Sequence, residues 1–199
     1  MRYWCFLVIF IFSFAFSTID LQAKNKLSKE EKKWVRNHIF RANKARKVTK
    51  RTLIRVNNLM LGNVLDSYNT GGEIDAFRHA FWMAYLTKKI GEKHALELGE
   101  AHEKGNYEQY LKGILEDKSL PDSISGEMDL RNNKIGAFIG KTIVWKKTDE
   151  LEKVVISFIK EGKLWMLKRN QFGELVNCEG LVVEKRADWY LPYCLVPSN

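Results

Sequence analysis

A chain of 199 residues carrying 45% hydrophobic and 29% charged residues is long enough to close one core, with at most a small appended unit. Its composition is that of an ordinary globular protein, and no repeat or low-complexity tract interrupts it, which sets solenoid and disordered classes aside. The formal charge of +9 points to an anionic partner rather than to a particular fold.

The first element is a targeting segment. "MRYWCFLVIFIFSFAFSTIDLQAKNK" has one cation, Arg2, an apolar run from Tyr3 to about Ile19, and then Leu21-Gln22-Ala23, an imperfect small-residue cleavage site. Residues 1–23 are therefore expected to be a cleaved signal peptide that exports the chain to the periplasm or beyond. The rival is an uncleaved anchor, although the run falls short of the ~20 apolar residues a span requires. No stable span is expected once the signal is removed. Export leaves Cys178 and Cys194 as an even pair. One disulfide would close a loop of about 15 residues and contribute roughly 3 kcal/mol; two free thiols are the alternative.

Residues 24–161 read as a helical domain and 162–199 as a small β extension, so the fold class is mainly α: a helical bundle with a C-terminal antiparallel appendix. The absence of proline before Pro121 suits long helices. Ser28–Arg46 is predicted as one helix, opened by a capping box of Ser28 and Glu31. Its basic character, "KNKLSKEEKKWVRNHIFRANKARKVTKRTLIR", fits phospholipid or a wall polymer such as peptidoglycan better than nucleic acid in an exported protein; a solvated face explains it equally. Leu53–Leu61 is a shorter helix, and "DSYNTGG" is a loop. Further helices are expected at Glu73–Ile90, stopped by Gly91, and at Lys93–Lys104, stopped by Gly105. Tyr107–Glu116, Ser125–Val144 and Asp149–Lys160 complete the set. "KLWMLKRN" and "ELVNCEGLVVEK", flanking the turn "QFG", predict an antiparallel unit over Lys163–Lys185 that Cys194 pins from the tail.

Three of these helices carry polar stripes. In "GGEIDAFRHAFWMAYL" the residues Asp75, Arg78, His79 and Trp82 share one stripe at ~100° per residue, while Phe77, Ala80, Phe81, Ala84 and Tyr85 cover most of the remainder. A helix apolar on nearly every side is buried, and buried charges need partners. "KHALELGEAHEKGN" offers His102 and Glu103, with Gly99 permitting close helix approach. "GEMDLRNNKIGAFIG" aligns Asp129, Asn132, Asn133, Gly136 and Gly140 on one face. The eight polar residues are expected to converge.

"DAFRHAFW", "EAHEKGN" and "MDLRNNKIG", in that order, resemble an uncharacterised bacterial domain family seen in secreted proteins and at the C-terminal ends of large toxin-like polypeptides. The resemblance covers about Asn63–Ile143. It implies a helical domain with these polar residues at a shared site, and its toxin-like members imply a hydrolase.

The residue types suit general acid–base chemistry. His79 and His102, tuned by Glu103 or Asp129, would exchange protons; Asp75, Arg78, Asn132 and Asn133 would hold substrate, Arg78 through its planar fork. A metal version would draw on the two histidines with Asp129 or Glu103, but no recognised ligand spacing, phosphate loop or G-x-S-x-G elbow occurs, and the sequence names no cofactor. Two readings stand beside catalysis: a binding module for a small anionic ligand or lipid head group, and a hydrogen-bond network that only fixes helix register. His38 reads as a core-edge residue and His94 as a solvated one. Oligomeric state is left open.

Overall fold

The computed structural model describes residues 27–115, 120–184 and 186–199. The segment expected to be a signal peptide, with Cys5, lies outside the described residues. Six helices precede two short strands: α1 Lys29–Asn37, α2 Ile39–Leu61, α3 Glu73–Ile90, α4 Glu92–Leu111, α5 Ser123–Thr142, α6 Thr148–Lys160, β1 Trp165–Leu167 and β2 Leu195–Pro197.

Helix α3 is the axis of the bundle and is touched by α2, α4, α5 and α6. Its apolar surface explains this position. Ala76, Phe77, Ala80, Phe81, Met83, Ala84 and Leu86 are all fully buried, and each of the larger ones contributes about 1.5–3 kcal/mol by leaving water. The closest approach is to α5. A Cβ placed on Gly136 would stand 2.3 Å from the Ala80 carbonyl oxygen, and one on Gly140 would stand 2.4 Å from that of Ala84. Backbone therefore packs on backbone, and only glycine fits.

The region predicted as one helix over Ser28–Arg46 is two. His38 interrupts it with φ −134° and ψ 44°, and its N–H bonds back to the Val35 carbonyl. The second piece then runs unbroken to Leu61, absorbing the separate helix expected at Leu53. The predicted capping box is present: Ser28 Oγ accepts from the Glu31 N–H, and Glu31 Oε2 accepts from the Ser28 N–H. Helix α4 continues through Gly105 to Leu111 instead of stopping there. Gly105 is a packing glycine, since a Cβ on it would meet Ser28 Cβ at 2.6 Å.

The β extension is antiparallel, as expected, but its partners differ. β1 pairs with β2 in the register Trp165↔Pro197, Met166↔Val196, Leu167↔Leu195. The hairpin region over Lys163–Lys185 is reduced to bridges Arg169↔Leu175 and Val176↔Val182. The strand that β1 needs comes from the tail, because Leu167, Leu191 and Tyr193 gather over Met128 of α5 as a second apolar cluster. The Cys178–Cys194 disulfide, with Cα atoms 4.8 Å apart, ties that tail back. Among the described residues no helix is long and apolar enough to cross a membrane.

Candidate functional site

The polar stripe of α3 faces α5 and α4. Asp75, in the first turn of α3, is 2% exposed. One of its oxygens accepts from the Gly71 N–H at 2.7 Å and the other from Arg78 Nη2 at 2.6 Å. The bond to Arg78 lies within α3, three residues along, so this charge is partly balanced by its own helix. The Arg78 side chain keeps 25% of its surface exposed.

His79 lies deeper. Its Nε2 is 3.6 Å from Asp75 Oδ1 and 3.3 Å from Asp129 Oδ1, so one imidazole joins carboxylates of two helices. Burial holds its pKa well below the usual 6.5, and the positive charges of Arg78 and His102 push it the same way. The Asn133 amide pulls in the opposite direction, although neither of its polar atoms attains hydrogen-bond geometry. The ring is therefore neutral at pH 7. A neutral imidazole carries one N–H. Nε2, between the two carboxylates, is the nitrogen better placed to carry it, although Asp129 Oδ1 at 3.3 Å is not in hydrogen-bond geometry; Nδ1 would then be the acceptor. Nδ1 is buried and has no hydrogen-bond partner among the described residues.

Asn133 is packed against α4 where Gly99 makes room: a Cβ on Gly99 would stand 3.0 Å from Asn133 Nδ2. Asn132, one residue earlier, is turned to another task. Its Oδ1 accepts from the Trp165 N–H and its Nδ2 donates to the Trp165 carbonyl, both at 2.9 Å. It continues the edge of β1 as a strand would, and fixes the β extension to α5.

His102 is half-buried on α4, its ring centroid 6.3 Å from that of His79 and 5.9 Å from that of Trp82. Its Nδ1 is 3.2 Å from Glu31 Oε1. Burial pushes the Glu31 carboxyl up, but the hydrogen bond and charge of His102, with the bonds at Ser28, outweigh it and leave the pKa below 4.5. Glu31 was read from sequence as a cap alone; the capping box located it correctly but carried no sign of a tertiary role. Glu103 accepts at Oε2 from Asn106 Nδ2 at 3.2 Å, in the gap that Gly126 leaves between α4 and α5.

A cleft adjoins this centre, lined by Asp75, Arg78, Asn106, Asp122, Ser125 and Asp129. Its enclosed part measures about 20 Å³, room for roughly one water molecule. Asp122, Ser125 and Asn106 were not singled out from sequence. Asp122 is the N-cap of α5: its Oδ1 accepts from the Ile124 and Ser125 N–H groups, and its Oδ2 accepts from Ser125 Oγ at 2.6 Å. Burial raises its pKa against the pull of those bonds. The Pro121-Asp122-Ser123 boundary was a legible cap signal.

Of the eight expected residues, Asp75, Arg78, His79, Asp129 and Asn133 meet around His79, His102 lies tilted beside them, Glu103 supports the wall through Asn106, and Asn132 serves β1. The donor set able to hold a cation at this centre is Asp75, His79 and Asp129, whose nearest ligand atoms lie within 4.8 Å of one another. His102 instead directs Nδ1 at Glu31. Two carboxylates and a neutral imidazole are donors that a divalent cation such as zinc accepts.

A family model described as a domain of unknown function, DUF6973, matches residues 32–163, from within α1 to just before β1. No curated protein and no solved structure matches the chain.

Proposed function

The chain belongs to the DUF6973 family of domains of unknown function, and from that premise we propose that it is an exported, hydrolase-like domain using general acid–base chemistry on an anionic envelope substrate. The observation that carries this reading is the buried neutral His79, joined to Asp75 and Asp129 of two different helices, beside a cleft of about one water's volume. A carboxylate that fixes the N–H of an imidazole leaves the other nitrogen as a base, the division of roles found in serine-hydrolase triads. Here Asp129 is the orienting carboxylate and His79 the base. To the His102–Glu31 pair, 31% and 17% exposed at the side chains, we assign the return of a proton to a leaving group. Arg78 receives the anionic group through its fork.

Helix α2 supports the substrate class. It has seven Lys or Arg residues and no acidic one in 23 positions. Ile39, Phe40, Leu53 and Ile54 stand exposed among them. A basic face with interleaved apolar side chains suits anionic phospholipid better than peptidoglycan, because the apolar groups gain by leaving water.

The test is hydrolysis of phosphatidylglycerol vesicles and of peptidoglycan by the protein and by its His79→Ala, His102→Ala and Asp129→Asn variants. Loss of turnover in variants that remain folded is the expected result. A native protein inactive on both substrates, or variants as active as the native chain, would sink the enzyme reading. The partly exposed Arg78 side chain supports one second reading, a module that binds a head group through Arg78 without turnover. Saturable vesicle binding, lost in Arg78→Ala and unaccompanied by product, would identify it.

A further inference from the structure

We infer that His38, His94 and Glu97 form a separate site for a divalent cation of the zinc class, at the joint between α1 and α2. His38 is the single residue between those helices. His94 and Glu97 lie three residues apart on α4 and so share a face. Glu97 Oε2 is 3.3 Å from His38 Nε2 and 3.2 Å from His94 Nδ1. The two imidazole centroids are 4.7 Å apart, and all three donor atoms fall within 4.8 Å of one another.

These separations fit a metal. Two ligands at zinc–nitrogen or zinc–oxygen distance in a tetrahedron stand about 3.4 Å from each other. The carboxylate–imidazole edges already have that length. Two imidazoles and one carboxylate are the three-ligand set of an open zinc site, and they disfavour calcium and magnesium, which take oxygen. The side chains of His38, His94 and Glu97 are 19%, 23% and 38% exposed, which leaves a fourth position to water. The ring of Trp34, 4.9 Å from that of His38 by centroids, backs the site with an apolar wall.

A cation there would clamp the α1–α2 joint to α4. That joint matters because α1 delivers Glu31 to His102, so the site would hold the half of the candidate centre that is not fixed by α3 and α5. The inference does not depend on the centre being catalytic.

The experiment is calorimetric titration of the metal-free protein with Zn²⁺, paired with visible absorption after Co²⁺ addition. The expected result is saturable binding with the absorption of a four- or five-coordinate Co²⁺. Both weaken by about 10-fold or more in His94→Ala and in Glu97→Gln. These substitutions lie on the partly exposed face of α4, and circular dichroism on each separately keeps one decisive if the other unfolds. No binding would overturn the proposal. So would binding that both variants retain, including binding that only Asp129→Asn removes, which would assign the ion to the buried Asp75–His79–Asp129 cluster.

Discussion

Replacing Gly136 by alanine puts the α3–α5 contact to a direct test. Helix propensity alone predicts stabilisation of up to about 1 kcal/mol, because glycine is the poorer helix former. The structure predicts the opposite sign. The new Cβ would lie 2.3 Å from the Ala80 carbonyl oxygen and 2.8 Å from the Ala80 Cα. Both are backbone atoms, so no rotamer change relieves the overlap, and the helices must part by about 1 Å to reach ordinary contact. Overpacking of this kind costs about 3 kcal/mol, leaving a net loss of about 2 kcal/mol after the propensity gain. For a chain of this size that lowers the melting temperature by roughly 4–8 °C. Gly126, on the same helix, is the control: its nearest contact would be Glu103 Oε2 at 3.5 Å, an ordinary distance. Gly126→Ala is therefore expected to be neutral or stabilising by up to about 1 kcal/mol. Urea and thermal unfolding of the two variants under oxidising conditions measure both numbers. A Gly136→Ala protein as stable as the native one, or two variants that shift alike, would refute backbone-on-backbone packing as the reason for these glycines.

Asn132→Ala removes both bonds to the Trp165 backbone and is expected to cost about 2 kcal/mol, with faster amide exchange at Trp165; unchanged exchange there would contradict the role given to Asn132. Stability should fall with acidification below pH 6.5 because the folded His79 resists protonation. The unfolded chain then binds more protons than the folded one, so stability is lost as pH drops, by on the order of 1 kcal/mol at pH 5.5. Glu31, lowered, adds loss in the same direction only near and below 4.5, while Asp122, raised, opposes it there. Urea unfolding at pH 7.5 and 5.5 should show the loss in the native protein and not in His79→Gln; equal losses in the two would exclude His79 as its source. Finally, Lys44, Lys47 and Lys50 are exposed on α2, and each should contribute about 1 kcal/mol to binding an anionic vesicle. Their triple replacement by glutamine is expected to weaken binding to phosphatidylglycerol vesicles by roughly 100-fold, and undiminished binding would remove α2 as the docking face.

The sequence was most legible where a single helix face decided the outcome. Helix α3 has the predicted bounds because its apolar surface and its flanking glycines leave no alternative. The Asp129–Asn133–Gly136–Gly140 face is the one α5 presents to α3, since glycine there both removes bulk and sets the approach. What could not be read was any pairing carried by a distant element. Glu31 reaches His102 across 71 residues of sequence, and nothing in a capping box distinguishes a carboxylate that only caps from one that does both. Asn132 and Asn133 are adjacent and chemically identical, yet one holds a strand and the other faces His79, a difference of about 100° of helix rotation. Likewise β1 presented a turn and a hairpin partner locally, but its partner strand is β2, because the tail also covers Met128.

Gly91 and Gly105 show why such limits are physical. Both follow an amphipathic segment, and both read as helix stops. Gly91 has φ +89° and nothing within 4 Å of an added Cβ, so it is glycine because of its backbone conformation. Gly105 lies inside α4, where a Cβ would collide with Ser28, so it is glycine because of its neighbour. The neighbour belongs to the N-cap of α1, the same turn that sets Glu31 against His102. Bulk at Gly105 would therefore displace not only a helix contact but the Glu31 carboxylate. The one glycine ends a helix; the other decides whether α1 can complete the polar centre.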